Sequence, residues 1–388
     1  MPIEKVAIIG AGVAGLAAAL SFARHGIASD IFEEAAELHE VGAGLQISPN
    51  ASRILAELGV LPALEAVWSE PERIGLASGL SLEPIAHVPV GRFARERWGA
   101  PYGVLHRATL QKALIAAVEA NPLCALHLGS SVRTGRRHDP RSINGVTYPL
   151  VIGADGVWSN LRAQVPKGPT PGFSGNVAWR FTIPRNAVPS WLPAGQVTAF
   201  LGPSSHMVAY PLKDMNSVNV VAIASGMSPG EVWDAEASDD QRRMLVAQFH
   251  RWDRRVGELL EGTQGATFWP LHQVSAGRWQ NGRDIVLIGD AAHAMMPFAA
   301  QGAAMAIEDA FLLAEKVFRT PALPTALSDF ETERTARIAR VRSRGAFNRF
   351  AYHARGPIRI ARDIVLSLKP PQSLAADLDW LYGYRIGE

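Results

Sequence analysis

The sequence predicts an α/β fold: a discontinuous domain on a parallel sheet, interrupted by a β-sheet-rich domain and followed by C-terminal helices. Three observations predict it. A glycine-rich motif joins a strand to a helix near the start, strand-rich sequence fills the middle, and an apolar strand ending in Gly289-Asp290 resumes the first pattern. We expect the discontinuous domain at residues 1–170 and 270–325, the inserted domain at 171–269 and the helical segment at 326–388.

The first strand and helix flank the glycine-rich motif. Lys5-Val-Ala-Ile-Ile9 is short, apolar and partly β-branched, which is typical of a buried strand. The sequence from Ala14 to His25 is rich in Ala and Leu, lacks Pro and ends before Gly26, as a helix does. A strand, a glycine-rich turn and a helix in this order predict a Rossmann-like nucleotide site.

The motif between them is Gly10-Ala-Gly12-Val-Ala14-Gly15. In this pattern Gly10 makes the tight turn, Gly12 admits a pyrophosphate to the backbone, and Gly15 lets helix and strand pack closely. The helix N-terminus, which contains Ala14, faces the phosphates. A glycine-rich loop without a ligand is the alternative.

An acidic residue follows the next strand. Ser29 to Phe32 is predicted to be that strand, and it ends at Glu33, 18 residues beyond Gly15. A carboxylate there accepts hydrogen bonds from a ribose 2′-hydroxyl and repels a 2′-phosphate. The pattern therefore favours FAD or NAD over NADP in this site.

Further elements follow in order. Ser48-Pro49 begins a capped helix to Leu58, and a helix is expected from Ala108 to Ala120, directly after Arg107. From Gly172 to Trp269, Val, Thr, Phe and Trp alternate with Gly, Pro and Asn, a composition typical of antiparallel sheet.

The chain then returns to the first pattern. Asp284-Ile-Val-Leu-Ile-Gly-Asp290 is an apolar strand ending in an acid, and ligands of open α/β sheets bind at such edges. A loop containing Pro297 and Gln301-Gly302 precedes a helical pattern from Ala303 to Phe318. Its backbone N–H groups and positive helix end are suited to the negative charge of a reduced flavin, although a helix cap without a ligand is the alternative.

Composition limits the other functions. The 388 residues suit two interleaved domains, and the net charge of +2 indicates no particular partner. Cys124 is the single cysteine, which excludes an internal disulfide framework and is compatible with a reducing compartment. Met1-Pro-Ile-Glu-Lys enters a strand at once, so we expect no signal peptide and a cytoplasmic protein. No Cys/His cluster suggests a metal.

Nine arginines lie between Arg334 and Arg362, which raises the question of nucleic acid or membrane binding. They alternate with apolar residues, and acids lie nearby at Asp329, Glu331 and Asp363. We interpret them as a solvated helix face and expect neither nucleic acid nor a membrane as a partner.

Over nearly its whole length the chain resembles the single-component, FAD-dependent aromatic hydroxylases, which include salicylate hydroxylase, 3-hydroxybenzoate 6-hydroxylase and 6-hydroxynicotinate 3-monooxygenase. The resemblance rests on these motifs: Gly10 to Gly15, Glu33, Val41 to Asn50, His106-Arg107, Asp155 to Arg162, Gly289-Asp290, and Asp379 to Gly383. Between Arg133 and Tyr148 the chain is shorter than is usual in the family, which indicates a trimmed surface hairpin.

The resemblance implies a role for each matching residue. Glu33 binds the adenosine ribose, Arg107 contacts the FAD phosphate and ribityl region, and Asp290 binds the ribityl chain. Pro297 and the Gln301-Gly302-Ala303 turn lie against the isoalloxazine. Asp155-Gly156 and Arg162 support the pyrophosphate and the use of NADH or NADPH, which have no Rossmann unit of their own.

The activity that the resemblance implies is hydroxylation of a hydroxylated aromatic or heteroaromatic acid, with or without decarboxylation. NAD(P)H reduces FAD, O2 forms a flavin C4a-hydroperoxide, and an oxygen atom passes to an electron-rich ring. One alternative is a flavin-dependent epoxidase, oxidase or reductase with a non-aromatic substrate. Another is a non-catalytic FAD-binding redox sensor, against which the intact Asp155-Gly156 argues. A monomer or a homodimer is expected.

The substrate ring requires a base, because a free phenol has a pKa near about 10. In His206-Met-Val-Ala-Tyr210, strand periodicity places residues 206, 208 and 210 on one face, so His206 and Tyr210 are the predicted catalytic residues. Hydroxybenzoate and hydroxynicotinate hydroxylases have a matching pattern at the substrate. The alternative is two residues satisfied on a sheet face, and for Arg180 both carboxylate recognition and interdomain packing stay open.

Overall fold

The computed structural model describes residues 3–387 except 39–43, 133–140, 227–234, 237 and 264. Part of the motif Val41 to Asn50 and most of the predicted hairpin between Arg133 and Tyr148 therefore lie outside the described residues. The strands are β1 (Lys5–Ile9), β2 (Ala28–Phe32), β3 (Gly44–Ile47), β4 (Arg73–Ser78), β5 (Pro84–Pro89), β6 (Gly103–His106), β7 (Cys124–His127), β8 (Ser142–Ile143), β9 (Val146–Thr147), β10 (Val151–Gly153), β11 (Pro171–Pro184), β12 (Val197–Gly202), β13 (Ser205–Leu212), β14 (Ser217–Ser225), β15 (Ala235–Glu236), β16 (Thr267–Val274) and β17 (Ile285–Leu287). The helices are α1 (Val13–Ala23), α2 (Pro49–Glu57), α3 (Leu61–Glu65), α4 (Arg92–Trp98), α5 (Arg107–Glu119), α6 (Asp239–Gln248), α7 (Arg254–Glu261), α8 (Asp290–His293), α9 (Gly302–Arg319), α10 (Leu323–Tyr352), α11 (Gly356–Leu368), α12 (Pro371–Ala376) and α13 (Asp379–Tyr382).

A five-stranded sheet in the order β17-β10-β1-β2-β7 forms the nucleotide-type half, and all its strands are parallel. Its central strands are apolar because both faces are covered, and α1 packs on α9 and α5. The parallel arrangement places the carboxyl ends of β1, β2, β10 and β17 at one edge. Gly10, Glu33, Asp155 and Gly289 follow closely after those ends, so the topology brings the separate motifs together.

A second sheet has the order β15-β16-β11-β14-β13-β12-β4-β5 and is antiparallel except for the β12–β4 pair. One face carries an apolar cluster that includes Trp179, Phe200, Met207 and Phe249. Residues of α6 and α7 complete this cluster, and the opposite face of the sheet is turned towards the first sheet's motifs. The predicted α/β fold with a β-rich part and C-terminal helices is thereby confirmed.

The second sheet extends beyond the segment 171–269 from which it was expected. Strands β4 and β5 come from residues 73–89, inside the part assigned to the first domain, and β16 runs past residue 269. The sequence analysis did not assign these strands to the second sheet, because the composition of a strand does not show to which sheet it belongs. The domain bounds at 1–170, 171–269, 270–325 and 326–388 stay a prediction.

The arginine-rich segment lies on α10 and α11, and its interpretation as a solvated face is wrong for three members. The side chains of Arg334, Arg337 and Arg362 are 0%, 5% and 7% exposed. They are buried because carboxylates or main-chain carbonyls meet their guanidinium groups. Among the described helices, none combines the length and the apolar character needed to cross a membrane.

Candidate active site

The glycine-rich turn separates glycines required by the fold from a glycine that faces open space. Gly10 has a φ of +103°, and a Cβ on Gly15 would lie 1.9 Å from the Gly10 carbonyl oxygen, so larger residues clash within the protein. A Cβ on Gly12 or on Gly156 would have no atom within 4 Å from the described residues other than its chain neighbours. Gly12 and Gly156 therefore border space that the described part of the protein leaves free.

Glu33 lies beside this turn. Its carboxylate accepts hydrogen bonds from the backbone N–H of Ala11, at 2.8 Å, and of Ala35, at 3.0 Å. These bonds hold the half-buried carboxylate at the carboxyl edge of the sheet. Each carboxylate oxygen keeps a lone pair that can accept a ribose hydroxyl.

The Asp155-Gly156 motif is tied to α8 by Arg162. The guanidinium group of Arg162 donates to the carbonyl oxygens of Ala291, at 2.9 Å, and Val157, at 3.0 Å. Asp155 accepts from the N–H of Leu161 through Oδ2, whereas its buried Oδ1 has no hydrogen-bond partner among the described residues. Arg162 thus positions the motif through the backbone, and Asp155 retains a free acceptor.

The Gly289-Asp290 turn is held by a buried carboxylate of α9. Gly289 has a φ of +59°, and its N–H donates to Asp309 Oδ2 at 2.8 Å. Asp309 also contacts His293, which is buried. Asp290 itself is exposed at the start of α8.

Gln301 is buried and faces away from the open space. Its Nε2 donates to Ser48 Oγ at 3.0 Å, and its Oε1 accepts from Asn50 Nδ2 at 3.2 Å. Asn50 also donates to Glu308, at 2.7 Å. Gln301 therefore joins the loop before α9 to the start of α2.

Beneath this loop lies a buried ionic network that the sequence analysis missed, formed by Glu308, Asp309, Arg334 and Arg337. Arg334 donates to Glu308 and Asp309, at 2.6 Å each, and Arg337 donates to Glu308 at 2.9 Å. Burial alone would raise the pKa of both carboxyl groups, but the neighbouring cationic groups hold each pKa below its ordinary value. The adjacent acids within the otherwise apolar stretch 302–314 of α9 were the available signal.

A cavity of about 340 Å³ lies between the glycine motifs and the second sheet. Ten of the predicted site residues line it: Gly12, Ala14, Arg107, Gly156, His206, Tyr210, Asp290, Pro297, Gly302 and Ala303. The other six do not: Gly10, Gly15, Glu33, Asp155, Arg162 and Gln301. Of these six, Gln301 bonds to the side chains of Ser48 and Asn50. The other five shape or bond to the backbone around the cavity.

The sheet wall of the cavity follows strand periodicity. His206, Val208 and Tyr210 all line it, as alternation along β13 predicts. Val208 pairs with Val221 of β14, which pairs in turn with Arg180 of β11, so Arg180 faces the same cavity. The wall thus combines one cation and two ring side chains.

Arg180 is an uncompensated cation in this wall. Its Nε is buried and has no hydrogen-bond partner among the described residues, and its guanidinium lies 5.4 Å from the centre of the Trp269 ring. Burial lowers the pKa of Arg180, and the charge of Arg107 adds to that effect, while Tyr210 opposes it. Burial also raises the pKa of Tyr210. The arrangement favours an anionic ligand, and it keeps the Tyr210 hydroxyl protonated.

His206 has a partner that the sequence analysis missed. His353, which follows α10, lies with its Nε2 2.9 Å from His206 Nδ1. Burial lowers the pKa of His206 well below its usual range, and His353 adds to the effect. The pKa of His353 falls to about 4 through burial and the nearby Arg349 and Arg355. Both imidazoles are neutral at pH 7, and Nε2 of His206 is left for a ligand.

Comparisons with known proteins agree with this geometry. The family described as FAD binding domain matches residues 4–344. The chain is 34% identical over 392 residues to 3-hydroxybenzoate 6-hydroxylase 1 of Aquipseudomonas alcaligenes, covering 98% of each chain. It is 33% identical over 389 residues to 3-amino-4-hydroxybenzoate 2-monooxygenase PtnB3 of Streptomyces platensis, covering 98% of this chain and 96% of that one. The crystal structure of Klebsiella pneumoniae HpxO complexed with FAD and uric acid is similar in fold, with a TM-score of 0.81 and 23% identity, covering 97% of this chain and 95% of that one.

Proposed function

The chain belongs to the FAD binding domain family, and from this membership we propose that it uses NAD(P)H and O2 to hydroxylate a hydroxylated aromatic or heteroaromatic acid. It is an FAD-dependent monooxygenase of the aromatic hydroxylase type. The observation that supports the acid as substrate is Arg180 in the cavity wall beside Tyr210 and His206, since its buried Nε has no hydrogen-bond partner among the described residues.

The residues present fit FAD. Gly12 and Gly156 border space free of protein atoms, as a pyrophosphate requires, and Asp155 Oδ1 is a buried acceptor without a partner among the described residues. Glu33 would hold the adenosine ribose, and Asp290 and Arg107 the ribityl and phosphate region. Bound FAD supplies the activation of O2 and the transfer of one oxygen atom to the ring.

The protein's part is to bind and orient the substrate. Arg180 would pair with the substrate carboxylate, because a half-buried guanidinium without a counter-ion gains most from an anion that brings its own charge. His206 Nε2 would accept the proton of the ring hydroxyl, since its Nδ1 is engaged by His353. Tyr210, kept protonated by its raised pKa, would donate a hydrogen bond to the resulting phenolate.

Two further properties belong to the proposal. The protein acts in the cytoplasm, where a thiol such as half-buried Cys124, whose pKa burial raises, stays reduced. Its proposed assembly state is a monomer or a homodimer.

A substrate panel tests the proposal. The purified yellow protein is mixed with NADH or NADPH and with 3-hydroxybenzoate, 3-amino-4-hydroxybenzoate, salicylate or 6-hydroxynicotinate. We expect at least one acid to accelerate NAD(P)H oxidation and to yield a product that carries one atom from 18O2, and carbon dioxide release reports decarboxylation. The same ring without its carboxylate is the matched control and should stimulate weakly.

Other outcomes count against the proposal. Acceleration that yields only hydrogen peroxide identifies a substrate mimic for that compound. If all the acids fail and a non-aromatic compound is oxidised, the protein is an oxidase, epoxidase or reductase. If nothing stimulates NAD(P)H oxidation, the FAD serves a redox sensor.

A further inference from the structure

A second cavity adjoins the first, and the two histidines form part of the wall between them. The second cavity measures about 800 Å³ and is lined by His353 and by Arg342, Arg349 and Arg355. His206 lines the first cavity and not the second, whereas His353 lines the second and not the first. The 2.9 Å contact between their nitrogens therefore connects the two cavities.

We propose that His206 and His353 form a proton relay that carries the proton of the substrate's ring hydroxyl from the first cavity to water in the second. This inference rests on the proposed function, since it requires a phenolic substrate beside His206. It assigns to His353 a role through His206 rather than a direct contact with the substrate.

The relay balances atom by atom. Before transfer, His206 carries its proton on Nδ1 and donates it to His353 Nε2, and His353 carries its own proton on Nδ1. The substrate O–H bond breaks as His206 Nε2 gains the proton, and His206 Nδ1–H passes to His353 Nε2. His353 Nδ1–H then leaves to water. The substrate becomes a phenolate, both imidazoles end neutral with exchanged tautomers, and one proton reaches solvent.

The charges around His353 favour release of a proton over its retention on the imidazole. Arg349 lies on α10 and Arg355 directly precedes α11, and both lower the pKa of His353. Arg342 of α10 lines the same cavity, and no Asp or Glu is among its described lining residues. The other groups that face the His353 ring are His206 of β13 and Phe298, whose ring centre lies 5.4 Å away. The positive surroundings make a lasting imidazolium unfavourable, so a proton that arrives is released.

A purely structural role for His353 makes different predictions. His353 packs against Phe298 and accepts the N–H of Ser204 on its carbonyl oxygen, so its loss can loosen the cavity wall. Loosening would weaken substrate binding or FAD retention. A relay defect slows proton release while both remain intact.

The experiment measures proton release directly. Oxidised holoenzyme is mixed anaerobically in a stopped-flow instrument with 3-hydroxybenzoate or 3-amino-4-hydroxybenzoate, in weak buffer with phenol red. We expect the unmodified protein to release close to one proton per active site at pH 7. His353→Gln, whose amide can still bond to His206 but cannot shuttle a proton, should release it at least about tenfold more slowly, with FAD content and substrate affinity within about twofold.

Two further variants sharpen the test. In His353→Ala, added imidazole should restore rapid release, and matched His87→Gln on β5, outside both cavities, should behave as the unmodified protein. Release at the original rate in His353→Gln, or substrate binding without any release in the unmodified protein, would overturn the relay alone. If no acid of the substrate panel stimulates NADH or NADPH oxidation by the unmodified protein, the proposed function fails and the relay fails with it.

Discussion

The two sides of the cavity differ in how their buried polar groups are paired. On the flavin-loop side, Glu308, Asp309 and Arg334 are fully buried. The Arg334 guanidinium donates to each of the two carboxylates at 2.6 Å. On the sheet side, Arg180 Nε is buried without a hydrogen-bond partner among the described residues. The carboxylates of the loop network are paired within the protein, whereas the sheet side retains a buried donor that no described residue pairs. On the proposed function, the cofactor therefore meets a fixed scaffold, and the substrate meets an unpaired donor.

Burying the charged groups of the loop side costs desolvation free energy. Taking four charged groups out of water is unfavourable, and the network offsets this only while every member is present. The network also positions the loop, because Asp309 accepts the Gly289 N–H and Glu308 is linked to Gln301 through Asn50. The network thereby fixes both ends of the loop from Gly289 to Gln301.

The largest effect is expected from Arg334→Met, which leaves Glu308 and Asp309 without their shared cation. Removing one partner of a buried ion pair costs about 3 to 5 kcal/mol, so the free energy of unfolding in urea should fall by that amount. Arg340→Met, at an exposed site on the same helix, is the matched control and should change it by less than about 1 kcal/mol. Equal effects of the two variants would show that the loop side is not a coupled network.

The two sides of the cavity should lose stability in different pH ranges as the pH is lowered. The folded-state pKa of His353 is lowered from 6.5 to about 4, so its contribution to stability is complete above pH 6.5 and is lost as the pH falls towards 4. At about 1.4 kcal/mol for each pKa unit, the fall of the His353 pKa from 6.5 to about 4 corresponds to a loss of at most about 3 to 4 kcal/mol. The lowered pKa values of Glu308 and Asp309 place the loss from the network below about pH 4.

Urea unfolding at pH 7.0, 5.5 and 4.5 measures this loss. His353→Gln should reduce the dependence on pH, and the lowered pKa of His206 should sustain the remainder. An unchanged slope in the variant would assign the acid sensitivity to another group.

Arg180→Gln should affect the substrate side alone. A hydrogen bond to a charged group contributes about 1.5 to 3 kcal/mol, so KM for an aromatic acid should rise roughly 10- to 100-fold. FAD content should stay unchanged, and the corresponding phenol without a carboxylate should show no difference between the variant and the parent protein. A loss of FAD in this variant would mean that the two sides are not independent.

The smallest expected effect compares two glycines of one motif. Gly15→Ala places a methyl group 1.9 Å from a carbonyl oxygen, and overpacking of this kind costs about 1 to 3 kcal/mol of folding free energy. Gly12→Ala meets no protein atom within 4 Å, so the FAD-free protein should keep its stability while its FAD affinity falls. Fluorescence titration with FAD and thermal unfolding of the apoprotein measure the two effects. Equal FAD affinity in Gly12→Ala and the parent protein would place the pyrophosphate elsewhere.

Local patterns predicted most of the nucleotide half. The expected helix from Ala108 to Ala120 is observed as Arg107–Glu119, and the strand expected at Ser29 to Phe32 as Ala28–Phe32. The alternation at His206 to Tyr210 correctly predicted a shared face. These features depend on neighbouring residues, whose periodicity and turn chemistry a single sequence displays.

Long-range features were not predictable in the same way. Arg334 meets Asp309 across 25 residues and His353 meets His206 across 147, and no local pattern marks such pairs. The arginines of α10 look alike in sequence, yet Arg334 is buried and Arg340 is exposed. Which of them finds a carboxylate depends on how α10 packs against α9.

The order of strands in the parallel sheet also has a consequence for how the protein is made. β10 lies between β1 and β17, and the Gly289 turn depends on Asp309, which Arg334 completes. During synthesis the glycine-rich turn emerges from the ribosome some 300 residues before the arginine that secures the other end of the site. We therefore expect the nascent chain to retain its flavin only when translation is nearly finished, and chains that end before Arg334 to be colourless.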